Sequence, residues 1–184
     1  MLRLCLVTLA LLTPLPAMAT EAGWALLRAG GQVVLMRHAK TFGGGDPATV
    51  DVEDCRTQSN LSERGRLQAR RMGALIAARA APTERALASR YCRTLETAEL
   101  VFGESRVEPF APLDPLPDDA AARSAALAEI RGVVDAYSGR GNLFLVTHLS
   151  TIEALVGAPA REGEAVIVRP AADGLGVMAR IVFN

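Results

Sequence analysis

Short apolar runs alternate with segments of helical period along most of the chain. The clearest apolar runs are residues 32–36 and 142–147, whose length is typical of strands buried on both faces. Other patterns predict helices over 62–79, 94–102, 118–137 and 150–156, a brief strand at 86–88, and final strands at 165–168 and 177–183. This order predicts an α/β fold, a three-layer α/β/α sandwich around a mostly parallel sheet, with ligands bound beyond the carboxyl ends of the strands.

The N-terminal segment has the pattern of a signal peptide. Arg3 precedes an apolar run over residues 4–12, two prolines follow, and Ala17-Met18-Ala19 fits the small-residue rule for cleavage. A membrane anchor is the alternative, but the run is shorter than the roughly 20 residues that span a bilayer. We therefore expect residues 1–19 to be removed, the mature chain to begin at Thr20, and the protein to be periplasmic or secreted, without stable membrane insertion.

Composition and charge narrow the class of partner. The 184 residues are 50% hydrophobic, and 20 Lys and Arg balance 20 Asp and Glu. Nucleic-acid-binding proteins usually carry a basic surface, which this balance does not indicate. An apolar content this high is enough for a core, and the length fits one domain over residues 20–184.

Two cysteines remain after the expected cleavage. Cys55 and Cys92 form an even pair in an oxidising compartment, which favours a disulfide over two unrelated buried thiols. Metal binding is less favoured, because the chain has no Cys-x-x-Cys and only two histidines. Cys55 lies in a long polar loop over residues 41–60, in which three glycines and the Asp46-Pro47 pair act as breakers.

Both histidines of the chain lie at predicted strand ends. His38 follows the first strand directly after Arg37, and His148 follows the strand at 142–147. Arg93 lies between the strand at 86–88 and the next helix, again on the carboxyl side. Because guanidinium groups match phosphate oxygens bidentately, these residues predict a pocket for a doubly charged oxyanion.

Three segments carry a resemblance to a known family. They are Arg37-His38-Ala39-x-Thr41, Ser89-x-x-x-Arg93-Thr94-x-x-Thr97-Ala98 and Val146-Thr147-His148. In this order they resemble the histidine phosphatase superfamily, also called phosphoglycerate mutase-like. The resemblance runs from about residue 32 to the C-terminus. Loop 41–60 and its cysteine further resemble a small exported bacterial branch associated with lipopolysaccharide core heptose phosphate.

The resemblance implies a role for each matching residue. His38 matches the nucleophile that forms a phosphohistidine, and Arg37, Arg93 and His148 match the groups that contact the phosphoryl group, with Thr41 as a further phosphate ligand. A neutral imidazole is a competent nucleophile, and the arginines supply the charge that a metal supplies elsewhere. The expected activity is that of a metal-independent phosphomonoesterase without cofactor, acting on a small phosphorylated substrate such as an envelope sugar phosphate.

Two departures from the family pattern leave an alternative open. Most relatives have glycine after the second histidine, where this chain has Leu149. The leaving-group acid has no certain match: Asp114 is the best placed, followed by Glu108, Asp118 and Asp119. The alternative is a phosphoryl-ligand binding or sensing protein of the envelope that hydrolyses little.

Overall fold

The computed structural model describes residues 16–172 and 174–183, with side chains from residue 20 onward. Residues 1–15 of the predicted signal peptide therefore lie outside the described residues. Among the helices that the structure describes, none is both long and apolar enough to cross a bilayer.

Five α-helices and six strands occur within the described residues. The helices are α1 Pro16–Ala29, α2 Glu63–Ala78, α3 Cys92–Phe102, α4 Ala120–Ala136 and α5 Leu149–Val156; the strands are β1 Val33–Arg37, β2 Thr83–Ala88, β3 Val107–Pro109, β4 Asn142–Thr147, β5 Ala165–Ala171 and β6 Gly174–Ile181. Short 3₁₀ turns lie at Cys55–Thr57, Glu104–Arg106 and Ala111–Leu113.

The strands form one mixed sheet in the order β3-β2-β4-β1-β5-β6. The pairs from β3 to β1 are parallel, whereas β5 pairs antiparallel with β1 and β6 with β5. The predicted α/β fold is confirmed, with an antiparallel edge added to the parallel part. The connection from α5 to β5 turns back within residues 157–164, where the Arg37 amide donates to the Glu164 carbonyl, so β5 runs opposite to β1.

Two apolar layers cover the two faces of the sheet. One contains buried residues of α1, α2 and α3 against Met36, Phe144 and Ile167. The other contains buried residues of α4 and α5 against Leu35 and Leu145. Alternate residues of one strand therefore serve opposite layers, which gives the three-layer α/β/α arrangement.

Helix and strand boundaries agree with the sequence pattern where neighbouring residues in the sequence determine them. Ser62 caps α2 as expected, because its hydroxyl accepts from the Gly65 amide. The sequence pattern did not predict α1 or β3. Trp24 and Leu27 of α1 are buried in the core, and β3 has only three residues.

Candidate active site

The two histidines meet at one edge of the sheet. β1 and β4 are parallel neighbours, so His38 and His148 leave their strands at the same end, and their ring centroids lie 5.6 Å apart. His38 is 7% exposed and His148 is 4% exposed. This edge is where ligands bind in open α/β sheets.

The backbone of His38 is fixed by three parts of the fold. Its amide donates to the Thr147 carbonyl over 3.1 Å, and its carbonyl accepts from the Gly163 amide over 2.9 Å. The next amide, of Ala39, donates to Thr97 Oγ1 on α3 over 3.0 Å. The imidazole is therefore held in place by main-chain contacts on both sides.

The imidazole of His38 has one ring nitrogen in use. Nδ1 lies 2.8 Å from the Ala39 carbonyl oxygen. Because a carbonyl only accepts, Nδ1 carries the proton and Nε2 keeps a free lone pair. This is the tautomer that a nucleophilic Nε2 requires.

The start of α2 packs tightly behind this segment. A Cβ atom at Gly65 would collide with the backbone carbonyl of Lys40. Ser62 also contacts that carbonyl through its amide (3.0 Å) and its hydroxyl (3.1 Å). Glycine at this position lets the first turn of α2 lie against the chain that follows His38.

Arg93 brings a buried guanidinium to the histidines. It lies in the first turn of α3, is 6% exposed, and approaches His148 Nδ1 with Nη2 at 3.1 Å. Its guanidinium carbon lies 4.8 Å from the centroid of the Tyr91 ring. An arginine nitrogen only donates, so His148 Nδ1 accepts and the proton of that ring is on Nε2.

Arg37 supplies the second positive charge. Its Nη1 donates to the Ala160 carbonyl over 2.9 Å, while its buried Nε has no partner among the described residues. With Leu149 it lines a cavity of about 560 Å³. The leucine that replaces the expected glycine after His148 therefore forms part of a cavity wall.

Burial and charge keep both imidazoles neutral. The pKa of His38 is lowered to about 4, first by burial and then by the charges of Arg93 and Arg37, against opposing contributions from the Ala39 hydrogen bond and Asp46. Burial, followed by the charge of Arg93, holds the pKa of His148 well below its ordinary value. Near neutral pH, His38 Nε2 is thus an unprotonated nucleophile.

Asp114 is not placed as a leaving-group acid. Its Oδ1 accepts from Ser89 Oγ (2.9 Å) and the Arg90 amide (2.8 Å), and its Oδ2 accepts from Arg90 Nε (2.9 Å) and Nη2 (2.7 Å). Asp114 reaches His148 only through Ser89, so the expectation of a proton donor at this position does not fit its contacts.

The three other candidate acids also have different surroundings. Asp119 caps α4 through the Ala122 amide, and Glu108 lies 3.6 Å from Arg85 on the neighbouring strand. Asp118 is exposed. Among the residues that the structure describes, no hydrogen bond or ion pair links them to His38.

Asp46 is the acidic residue that the structure brings to the pocket. Its two carboxylate oxygens accept from Nη1 and Nη2 of Arg93, each over 2.8 Å. Oδ1 also accepts from the Ser59 amide over 2.9 Å. The sequence pattern marked Asp46 only as a loop breaker, although an aspartate in the loop after the His38 strand is a usable signal.

A disulfide ties the loop of Asp46 to the helix of Arg93. Cys55 and Cys92 are bonded, with their Cα atoms 5.7 Å apart. Beside them the buried Gln58 accepts from the Cys92 amide over 2.9 Å. The bridge therefore fixes loop 41–60 to the first turn of α3.

Thr41 has contacts that do not support a phosphate-binding role. Its amide and hydroxyl face Glu162 Oε1 at 3.2 and 3.5 Å. A carboxylate at this distance disfavours a second anion. Within residues 16–172 and 174–183, no three His, Cys, Asp or Glu side chains converge as a metal-binding group would.

Comparison with known proteins places this geometry in a family. The model of the histidine phosphatase superfamily (branch 1) matches residues 33–118, which include His38, Asp46, Arg93 and Asp114. Over these residues the chain matches the histidine phosphatase superfamily. The match supports a phosphoric monoester hydrolase of the histidine phosphatase type, as expected from its motifs.

Solved structures share the fold of this chain at low identity. The protein histidine phosphatase SixA, complexed with tungstate, is 20% identical with a TM-score of 0.60, over 82% of this chain and 96% of its own. Phosphoserine phosphatase from Entamoeba histolytica, bound to 3-phosphoglyceric acid, is 14% identical (TM-score 0.61; 82% and 96%). YhfR from Bacillus stearothermophilus is 18% identical (TM-score 0.59; 80% and 95%). A comparison with curated proteins found no match.

Proposed function

We propose that this histidine phosphatase is an exported, metal-independent phosphomonoesterase that works through a phosphohistidine at His38. The observation that carries the proposal is the state of the His38 ring. Its Nδ1 is bonded to the Ala39 carbonyl, so a neutral Nε2 is available beside the guanidinium of Arg93 and the ring of His148.

The cationic groups determine how the phosphoryl group binds. Arg37 and Arg93 offer guanidinium nitrogens to its oxygens, and His148 lies beside Arg93. As His38 Nε2 bonds to phosphorus and the ester bond breaks, negative charge stays on these oxygens, and fixed cations stabilise it without reorganisation. Water then attacks phosphorus, releases orthophosphate and restores His38.

Metal independence follows from the same groups. In kinases and many other phosphoryl-transfer enzymes, Mg²⁺ neutralises charge on the transferred group. Here the positive charges of two guanidinium groups, those of Arg93 and Arg37, help to lower the pKa of His38. Their positive charge takes the role of the metal.

Export is supported by two features of the chain. Residues 1–19 have the pattern of a signal peptide, and the disulfide between Cys55 and Cys92 suits an oxidising compartment. Cleavage after Ala19 leaves the buried Trp24 and Leu27 of α1 in the mature protein. A small phosphorylated substrate of the cell envelope, such as a sugar phosphate, fits an enzyme in that location.

Turnover by the mature protein and its variants tests the proposal. p-Nitrophenyl phosphate and phosphorylated lipopolysaccharide fragments serve as substrates, with and without EDTA. His38→Ala is expected to abolish turnover while orthophosphate still binds, because Arg37 and Arg93 remain. A quench that avoids acid is expected to trap an acid-labile phosphoryl group on His38. Turnover that survives His38→Ala, or that EDTA removes and a divalent ion restores, contradicts the mechanism.

A further inference from the structure

We propose that Asp46 is the leaving-group acid of this site, a role that rests on the proposed phosphohistidine chemistry. The Asp46 carboxylate accepts from both terminal nitrogens of Arg93, the fork that the substrate's phosphoryl group needs. Binding of substrate therefore requires the carboxylate to leave the guanidinium and take a new partner within the pocket.

Competition for the guanidinium determines what that partner is. A phosphoryl dianion that binds the same fork repels the carboxylate, because both are negative. When Arg93 turns to the phosphoryl oxygens, Asp46 loses its counter-ion and lies beside new negative charge, which favours uptake of a proton. The proton comes from solvent or from the monoanionic form of the substrate. The result is a neutral carboxyl group next to the scissile ester.

The position of Asp46 suits the leaving group. Arg93 and both histidines are buried, so the organic part of a substrate extends toward solvent. Asp46 enters the pocket from loop 41–60, whose three glycines Gly43, Gly44 and Gly45 have positive φ and open space around them. The disulfide and the Ser59 amide keep this loop beside α3.

Other carboxylates do not compete for the role. Asp114 accepts four hydrogen bonds from Ser89 and Arg90, and Ser89 lies between it and His148. Asp46 instead bonds both terminal nitrogens of Arg93, whose Nη2 also contacts the His148 ring, and that ring lies 5.6 Å from the ring of His38. Asp46 is thus the carboxylate that these contacts bring to the histidines.

The two steps balance with Asp46 in this role. As His38 Nε2 bonds to phosphorus, the bond between phosphorus and the ester oxygen breaks with its electron pair on oxygen, and the Asp46 proton passes to that oxygen. The alcohol leaves. The Asp46 carboxylate then takes a proton from water as the water oxygen bonds to phosphorus and the phosphorus–Nε2 bond breaks. The products are alcohol, orthophosphate and free His38.

Two substrates with different leaving groups test the proposal. p-Nitrophenolate leaves without a proton near neutral pH, whereas the alkoxide of glycerol 2-phosphate needs one. Asp46→Asn is expected to lower kcat/KM for glycerol 2-phosphate about 100-fold or more and to leave p-nitrophenyl phosphate nearly unchanged. Asp46→Glu is expected to restore part of the loss. Glu53→Gln removes the same charge from an exposed position of the same loop and is expected to change neither rate.

The other outcomes overturn it. An equal loss on both substrates shows that Asp46 only holds Arg93. An equal gain, with tighter orthophosphate binding, shows that Asp46 is only an intramolecular competitor of the phosphoryl group. If Asp46→Asn does not fold, Asp46→Ser is compared on the same two substrates: a loss confined to glycerol 2-phosphate supports the proposal, and an equal loss on both overturns it. Phosphohistidine trapping in the wild type tests the His38 mechanism separately, since it does not involve Asp46.

Discussion

Arg93 Nη2 donates a hydrogen bond to His148 Nδ1 over 3.1 Å, and this contact sets the tautomer of the second histidine. The proton of the ring is then on Nε2, which donates to Ser89 Oγ over 2.9 Å. The Ser89 hydroxyl in turn donates to Asp114 Oδ1 over 2.9 Å. His148 is therefore held neutral and in one ring orientation by a series of hydrogen bonds that begins at Arg93 and ends at the Asp114 carboxylate.

Ser89→Ala is expected to interrupt this series of hydrogen bonds. It leaves the buried Nε2–H of His148 without its acceptor and removes one donor from Asp114, which we expect to cost about 1–3 kcal/mol of folding stability. Because the ring loses its fixed orientation, kcat is expected to fall about tenfold. Inhibition by orthophosphate is expected to change less, since the two arginines still bind the anion. Steady-state kinetics and chemical denaturation measure these effects.

Ser124→Ala provides the control for this prediction. Ser124 is exposed on α4, far along the chain from the histidines. The same change of side chain there is expected to alter neither kcat nor stability. If Ser89→Ala matches Ser124→Ala, the ring of His148 does not depend on Ser89.

Arg93→Lys is expected to show that geometry matters as much as charge. Lysine keeps the positive charge but lacks the fork that bonds Asp46 and His148 at once. We expect kcat/KM to fall about 100-fold, because a bidentate donor pair is reduced to a point charge. Arg64→Lys on the exposed face of α2 is the control. A wild-type rate for Arg93→Lys would mean that Arg93 acts by charge alone.

The sequence was sufficient for the parts of the fold that depend on local pattern. β4 coincides with its apolar run, and the Ser62 cap sets the start of α2. His38 and His148 could be placed together because the carboxyl ends of parallel strands share one edge of a sheet. These features need only the order of strands and helices.

Other features depend on contacts that local pattern does not carry. Asp46 and Arg93 are 47 residues apart, and no periodicity marks an aspartate in an exposed loop as a pocket residue. Asp114 has the expected place after the third strand, but its partner Arg90 is visible only in three dimensions. The helix α1 overlaps the predicted cleavage site, where residues 16–19 have the pattern of a processing signal rather than of a helix.

Removal of the disulfide is expected to lower stability and to release the loop of Asp46. Cys55 and Cys92 are 37 residues apart, and closing a loop of this length constrains the unfolded chain by on the order of 3 to 4 kcal/mol. Cys55→Ser with Cys92→Ser is expected to lower the free energy of unfolding by about this amount in chemical denaturation. Thiol titration of the unreduced, unfolded wild type is expected to find no free thiol. Two reactive thiols would contradict the pairing.

Stability is expected to decrease as the pH decreases, because the fold buries the imidazole of His38. The pKa of His38 is about 4 in the folded protein and about 6.5 when unfolded, so the unfolded chain binds more protons between these values. Unfolding is therefore favoured as pH falls from 6.5 to 4, by about 3 kcal/mol from this residue. His38→Gln removes the titrating group. As the pH falls through this range, the unfolding free energy of the wild type is therefore expected to decrease more than that of the variant. His148 shifts in the same direction, so part of the pH dependence stays in the variant. Denaturation curves at intervals from pH 7 to 4 measure the difference, and parallel curves for the two proteins would show that His38 is not held neutral by the fold.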